Sequence, residues 1–235
     1  MKKILAIAAV ALLIGETASA QKANGGALTV EGQISLWGPT QVVSPLIRGR
    51  YFLTDDLAAR VQLGFFTNNS TNNFAENPDG SGNSGSMVRT NNYFDLRLGV
   101  EKHLGSHEKF SPYLGAEFMF GSGSAKETWS NSNNGTTYTA NDSRTMTGGW
   151  QGATPIYNPG TTIGFNLILG ADYYVFEQLY IGAEFGYGFM SNNRPDIVIE
   201  QSLAGNTTKN TQLGGSSNRL GMYNMNGGMR IGIRF

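Results

Sequence analysis

Twelve charged side chains recur at alternate positions of strand-like segments, and they set the chemistry open to this chain. Glu31, Asp95, Glu101, Glu117, Asp172 and Glu184 supply carboxylates; Arg48, Arg50, Arg60, Arg97, Arg230 and Arg234 supply guanidinium groups. Their immediate neighbours are mostly apolar residues or glycine. In an element of period two, charge and hydrophobe then fall on opposite faces. Six acids facing six arginines is a balanced set. Because a buried unpaired charge is costly, the balance predicts salt-bridged networks filling an enclosed polar space. Arginine suits that task, since its planar fork pairs with carboxylates two bonds at a time. The first reading is therefore cohesion, a largely plugged interior. The second is a narrow polar path for small solutes, because many glycines share the polar face (Gly64, Gly99, Gly164, Gly170, Gly186, Gly188) and leave room there.

Other reactive constellations are sparse. The two histidines, His103 and His107, fall in one short connection over 103–109 and are expected to be solvated. No third ligand accompanies them, so no zinc site is predicted, and no nucleophile is paired with a base. The run Asp79-Gly80-Ser81-Gly82-Asn83 hints at calcium-loop spacing but lacks the glycine at the sixth place and the closing glutamate. Cysteine is absent, which removes disulfides, thiolate metal sites and a lipid-anchor cysteine. Asn-x-Ser/Thr triplets at Asn68, Asn134, Asn141 and Asn206 are what Asn/Thr-rich loops contain by chance. No phosphate-cradling motif occurs. These readings predict neither an enzyme nor a cofactor or metal.

The elements that must position the charges are strands. Leu28, Val30, Ile34 and Leu36 alternate with Thr29, Glu31, Gln33 and Ser35. Similar alternation predicts further strands over 45–53, 57–65, 91–102, 110–121, 161–175, 179–189 and 218–235. In the last, Phe235, Ile233, Ile231 and Met229 share one face and Arg234 and Arg230 the other. Three connections are tight. The polar stretches 67–90, 122–160 and 190–217 read as long loops, and they fall on the opposite edge from most of the tight turns. Strands apolar on one side and polar on the other, with loops sorted by length, fit a transmembrane barrel with lipid outside. An open sheet in lipid would leave unpaired amides at several kcal/mol each, so the last strand must close on the first. The fold class expected is all-β: an eight-stranded antiparallel up-and-down transmembrane β-barrel with short periplasmic turns and long extracellular loops. Aromatic residues support interfacial belts, with Trp37 and Trp150 near the loop edge and Tyr51, Phe110, Tyr173, Phe176 and Phe235 near the turn edge.

The route to a membrane is legible as well. Lys2 and Lys3, an apolar run over 4–14 and Ala18-Ser19-Ala20 read as a cleaved signal peptide over 1–20, leaving 21–235 as one domain. Its removal takes Lys2, Lys3 and Glu16 from a chain with 17 basic and 17 acidic residues, so the remainder is near neutral and carries no footprint for nucleic acid.

One internal echo stands out. Tyr113-Leu-Gly-Ala-Glu-Phe118 and Tyr180-Ile-Gly-Ala-Glu-Phe185 each open a strand after a short turn. Together with Ser111-Pro112 before the first copy and the terminal Phe235, the pattern resembles the OmpA-like and porin-family small outer-membrane barrels, and the Asn/Gly-rich loops resemble members from Bacteroidetes. The resemblance implies an eight-stranded barrel in the cell outer membrane and no particular activity. The partners expected are outer-membrane lipid, the barrel-assembly machinery through the C-terminal strand with Phe235, Ile233, Ile231 and Met229, and a surface ligand at the long loops 67–90, 122–160 and 190–217. With no further domain expected after the barrel, a wall-tethering role is not expected. The function expected is structural or surface-interacting, with a narrow diffusion channel as alternative and a lipid-modifying enzyme behind both.

Overall fold

Residues that alternate in polarity can satisfy both faces only as extended chain, and the structure is built from little else. The computed structural model describes residues 23–35, 47–75, 80, 82–105, 108–132, 138–150, 152–155, 157–221 and 228–235. Residues 1–20, expected above to be a signal peptide, lie outside the described residues, as do Trp37, Asp79, Ser81, His107, Asn134 and residues 222–227. Twelve strands follow one another: β1 (Leu28–Ser35), β2 (Ile47–Phe52), β3 (Leu57–Ala75), β4 (Ser84–His103), β5 (Phe110–Ser132), β6 (Tyr138–Thr147), β7 (Gly160–Tyr174), β8 (Leu179–Arg194), β9 (Ile197–Leu203), β10 (Asn206–Gln212), β11 (Gly215–Gly221) and β12 (Gly228–Arg234).

Eight of them close into an antiparallel ring, in the order β1-β2-β3-β4-β5-β7-β8-β12. The closing seam is β1 on β12, running from Thr29 opposite Arg234 to Ser35 opposite Gly228. The chain end completes it: Phe235 N donates to Leu28 O at 2.8 Å, and Leu28 N donates back to Phe235 O at 3.3 Å. One end of the ring has tight turns. In the turn after β2, Leu53 N donates to Leu57 O at 2.8 Å, and Thr54 Oγ1 accepts from Leu57 N at 3.1 Å. The turn after β7 is similar, with Val175 N donating to Leu179 O at 2.9 Å.

The polarity of the ring is inverted. Outward positions carry Leu28 and Val30 on β1, Leu98 and Val100 on β4, Leu167 and Leu169 on β7, and Phe185 and Phe189 on β8, all exposed. Inward positions carry Glu31, Arg50, Arg60, Glu117, Asp172 and Arg230, all buried. The apolar belt stops at one level on β3, β4, β5, β7 and β8. Phe65 pairs with Phe94, and the next outward pair is Thr67 with Asn92. Ile163 pairs with Phe120 and, on its other side, with Ser191.

Beyond that level the strands continue, which corrects the reading of 67–90, 122–160 and 190–217 as irregular loops. The β3–β4 ladder runs unbroken from Leu57–Lys102 to Ala75–Ser84. Where β7 leaves β5 near Gly123, β6 takes its place at Lys126, and β9 and β10 extend that sheet outward. Here β11 runs along β8. These strands are rich in Thr, Ser and Asn because much of their surface is wet. The loss of apolar alternation marks the end of the belt rather than the end of the sheet. The β9–β10 hairpin is pinned by Lys209 Nζ to Glu200 Oε1 at 2.9 Å, a bond that holds the Glu200 carboxyl below its ordinary value.

Inward glycines serve as seats for neighbouring side chains. A Cβ on Gly170 would lie 2.3 Å from the Tyr113 ring, and one on Gly232 would lie 2.0 Å from the Tyr180 ring. Each tyrosine stands directly opposite its glycine on the next strand, so its ring lies flat along the wall. The room left by Gly99, Gly182 and Gly188 is likewise taken, by Glu117, Asp172 and Asn166. Gly232→Val is therefore expected to displace Tyr180 and lower stability by about 1–3 kcal/mol, as overpacking does. Urea unfolding of the refolded protein checks this, and adding Tyr180→Ala to the same chain should recover part of the loss.

Candidate functional site

The inner face of the ring is a column of ion pairs. Arg50, fully buried on β2, binds Glu31 at 2.5 Å and both Glu101 and Asp172 at 2.7 Å. Arg230 on β12 joins Glu31 at 2.9 Å to Asp172 at 3.0 Å. Arg48 grips Glu184 with both terminal nitrogens, at 3.0 and 3.1 Å, and Arg60 does the same at 2.9 and 3.1 Å. Arg60 also reaches Glu117 at 3.0 Å. Glu117 in turn takes Arg97 at 3.4 Å, and Arg97 binds Asp95 at 2.8 Å. Eleven of the twelve sequence-selected charges are thereby joined in one connected set. Arg234 stands apart and pairs at 3.0 Å with Glu177, a half-exposed residue in the turn after β7.

The repeated hexapeptide explains part of this geometry. Both copies put tyrosine, glycine and glutamate on the inner face. Glu117 and Glu184, the two glutamates, converge on the one Arg60. Tyr113, the first tyrosine, donates its hydroxyl to Glu184 of the second copy at 2.7 Å. The rings also cover cations: Arg230 lies 5.4 Å from the Tyr113 centroid and Arg50 lies 5.0 Å from that of Tyr180.

Several contributors were invisible in the charge pattern. Gln62 accepts from Arg48 at 2.7 Å, and Asn166 donates to Glu117 at 3.1 Å. His103 is the largest departure. Expected on a solvated turn, it is buried at the end of β4, because β4 runs one residue further and position 103 shares the inward parity of Glu101. Its Nδ1 lies 2.7 Å from Ser111 Oγ and its Nε2 lies 3.2 Å from Glu101 Oε1. The order serine–histidine–glutamate is that of a hydrolytic triad. Here the serine, histidine and glutamate are all buried, and Glu101 is held by Arg50 and Arg60. Phe52 and Tyr113 pack against the imidazole at 5.0 and 5.1 Å. Ser111 is itself buried, and the set is joined through Glu101 to the column. No cluster of three metal-ligating residues occurs among the described residues.

The column is closed at one end and open at the other. At the turn end Ala23, Phe52, Ala58, Tyr174 and Tyr180 form an apolar plug. At the far end, above Arg97, a cavity of about 330 Å³ is lined by inward residues of β4, β5, β7, β8 and β11. Tyr157 from the segment before β7 closes its side, stacked on Tyr93 at 4.5 Å with the rings 8° apart. The clamp that holds it is Asn91, which accepts from Tyr157 N at 2.9 Å and donates to Tyr157 O at 3.1 Å. Arg219 on β11 also lines this mouth, although the alternation of 218–235, continued upstream, would put it outside. The reason is register. Gly221 stands opposite Gly188 and Gly228 opposite Glu184, so the inner face changes from odd to even positions between β11 and β12.

No protein-family model matches the chain, and a search of curated proteins finds no match.

Two substitutions separate the column from its rim. Arg50→Met takes one guanidinium from Glu31, Glu101 and Asp172, leaving three buried carboxylates to Arg230, Arg48 and Arg60, and is expected to cost about 3–5 kcal/mol, the usual result of breaking a buried pair from one side. Glu177→Ala removes a half-exposed partner of Arg234 and is expected to cost at most about 1 kcal/mol. Denaturant midpoints of the two refolded variants, measured side by side, check the contrast.

Proposed function

We propose that the chain is an integral outer-membrane β-barrel of the OmpA-like, porin-family type, with a plugged interior and a surface-interaction role. The observation that carries this reading is the inverted polarity: a continuous apolar belt outside and a connected ion-pair column inside. Water rewards the reverse arrangement, whereas hydrocarbon rewards this one. The dimensions agree. From Leu179 to Phe189 the outward face of β8 stays apolar, about 33 Å along the strand and about 25 Å upright at a tilt of ~40°, which matches the apolar band of such barrels. Ring closure supports it too, since hydrocarbon tolerates no open sheet edge. Residues 1–20 act as the export signal, and Phe235, Ile233, Ile231 and Met229 serve assembly at the seam. The turns face the periplasm, and the strands beyond the belt stand above the cell surface.

The channel reading rests on room beside inward glycines, and beside Gly99, Gly164, Gly170, Gly182, Gly188 and Gly232 that room holds neighbouring side chains, which favours the plugged interior. The enzyme reading has no reachable nucleophile in the Ser111–His103–Glu101 set. Surface interaction is the role left to the strands and the mouth beyond the belt.

The refolded protein, residues 21–235 in detergent, is expected to migrate differently on gels before and after boiling, and to show a β-rich circular dichroism spectrum. A β-poor spectrum would overturn the barrel. In a planar bilayer the folded protein is expected to be silent; steady single-channel openings would restore the channel.

A further inference from the structure

The mouth cavity is shaped and charged in a way that cohesion does not require. It opens beyond the apolar belt, and its floor is Arg97 and Met119. At 330 Å³ it falls at the small end of ligand-site volumes and exceeds what one inorganic ion needs. Its lining includes two arginines and no carboxylate. Arg97 is tied to Asp95 and Glu117 from below. Arg219 is exposed on the wall and forms no ion pair among the described residues. The rest is polar but uncharged, or apolar: Tyr93 and Tyr157, Asn158 and Asn192, Thr162 and Ser217, with Met119 and Met190. The wall is already organised, since Asn192 donates to Thr162 Oγ1 at 2.8 Å and Asn91 fixes Tyr157. Such a lining offers a cation for one end of a ligand, amides and hydroxyls for a polyhydroxylated body, and thioethers for its C–H face.

We propose that this mouth binds a sugar acid, a hydroxylated ring of monosaccharide size bearing one carboxylate, with Arg219 pairing the carboxylate and Asn158, Asn192 and Ser217 holding the hydroxyls. The proposal deepens the surface-interaction reading and rests on it. A carboxylate without the ring would leave the amides and hydroxyls unused. A neutral sugar would leave Arg219 unmatched. With the other end of the ring closed by the apolar plug, the ligand enters and leaves by the mouth alone, as at a receptor.

The test is calorimetric titration of the refolded protein, its fold first checked by heat-dependent gel migration. Glucuronate is expected to bind at least tenfold more tightly than either glucose or acetate, and more weakly as salt rises from ~50 to ~500 mM, as a partly exposed ion pair requires. Arg219→Ala, on an exposed strand outside the column, should weaken glucuronate at least tenfold and leave gel migration unchanged. Asn192→Leu should weaken it as well. A disaccharide ending in glucuronate separates the two sources: equal or tighter binding assigns a glycan terminus, and exclusion assigns the free acid. Heat-modifiable protein that takes up no glucuronate would overturn the site and leave the barrel standing. So would glucose or acetate binding as tightly as glucuronate, or Arg219→Ala binding normally. Loss of heat-modifiable migration in the wild-type chain would instead count against the barrel.

Discussion

The structure depends on one constraint: a guanidinium group taken out of water must meet carboxylates on all sides. Arg50 shows how far this reaches. It stands on β2, and its three acids stand on β1, β4 and β7. Those strands come together around one side chain only in a closed ring. Arg230 repeats the demand from β12, and shares Glu31 and Asp172 with Arg50. The column and the seam therefore support each other. Without closure the charges would lack partners. Without the charges the ring would enclose a void that its small inward residues could not fill.

Glycine and tyrosine solve a second problem, that of width. A ring of eight strands is just wide enough for side chains to fill. Arginines crossing that space need walls without protruding groups, and large side chains must lie along the wall instead of across it. Tyr113 over Gly170 and Tyr180 over Gly232 meet both needs. The flattened rings also offer their faces to Arg230 and Arg50. The repeated Tyr-x-Gly-Ala-Glu segment thus carries a compact rule in which tyrosine covers glycine across the strand pair and glutamate, four residues on, reaches Arg60.

How much of this could be read beforehand follows from what alternation encodes. Facing charges in a period-two pattern is a local property, so the twelve charges were recognisable from sequence, and eleven of them lie in the column. What failed was non-local or lay beyond the belt. Above Phe65 and Phe94 both faces of a strand are polar, so alternation vanishes although the ladder continues to Ala75 and Ser84. The inward position of Arg219 follows from a pairing parity against β8 that differs between β11 and β12, which the sequence pattern does not record. His103 depended on one residue of strand length, and the inward parity of Glu101 was the available signal. Alternation placed the glycines on the inner face but could not show which neighbour lies over each, as Tyr113 does over Gly170.

The two ends of the ring have been built for different ends. At the turn end, Phe52, Tyr174 and Tyr180 pack with Ala23 and Ala58 directly beside Arg50 and cap the column with apolar surface. At the mouth the column ends at Arg97, and Tyr93, Tyr157 and Phe66 pack to one side of the cavity rather than across it. Asn91, fully buried, has its amide bound to Ser124 and Tyr157, so it fixes the side of the cavity without filling it. The two ends therefore differ in chemistry: an apolar cluster packs against Arg50 at the base, while the mouth presents amides, hydroxyls and Arg219 above an interior of paired charges.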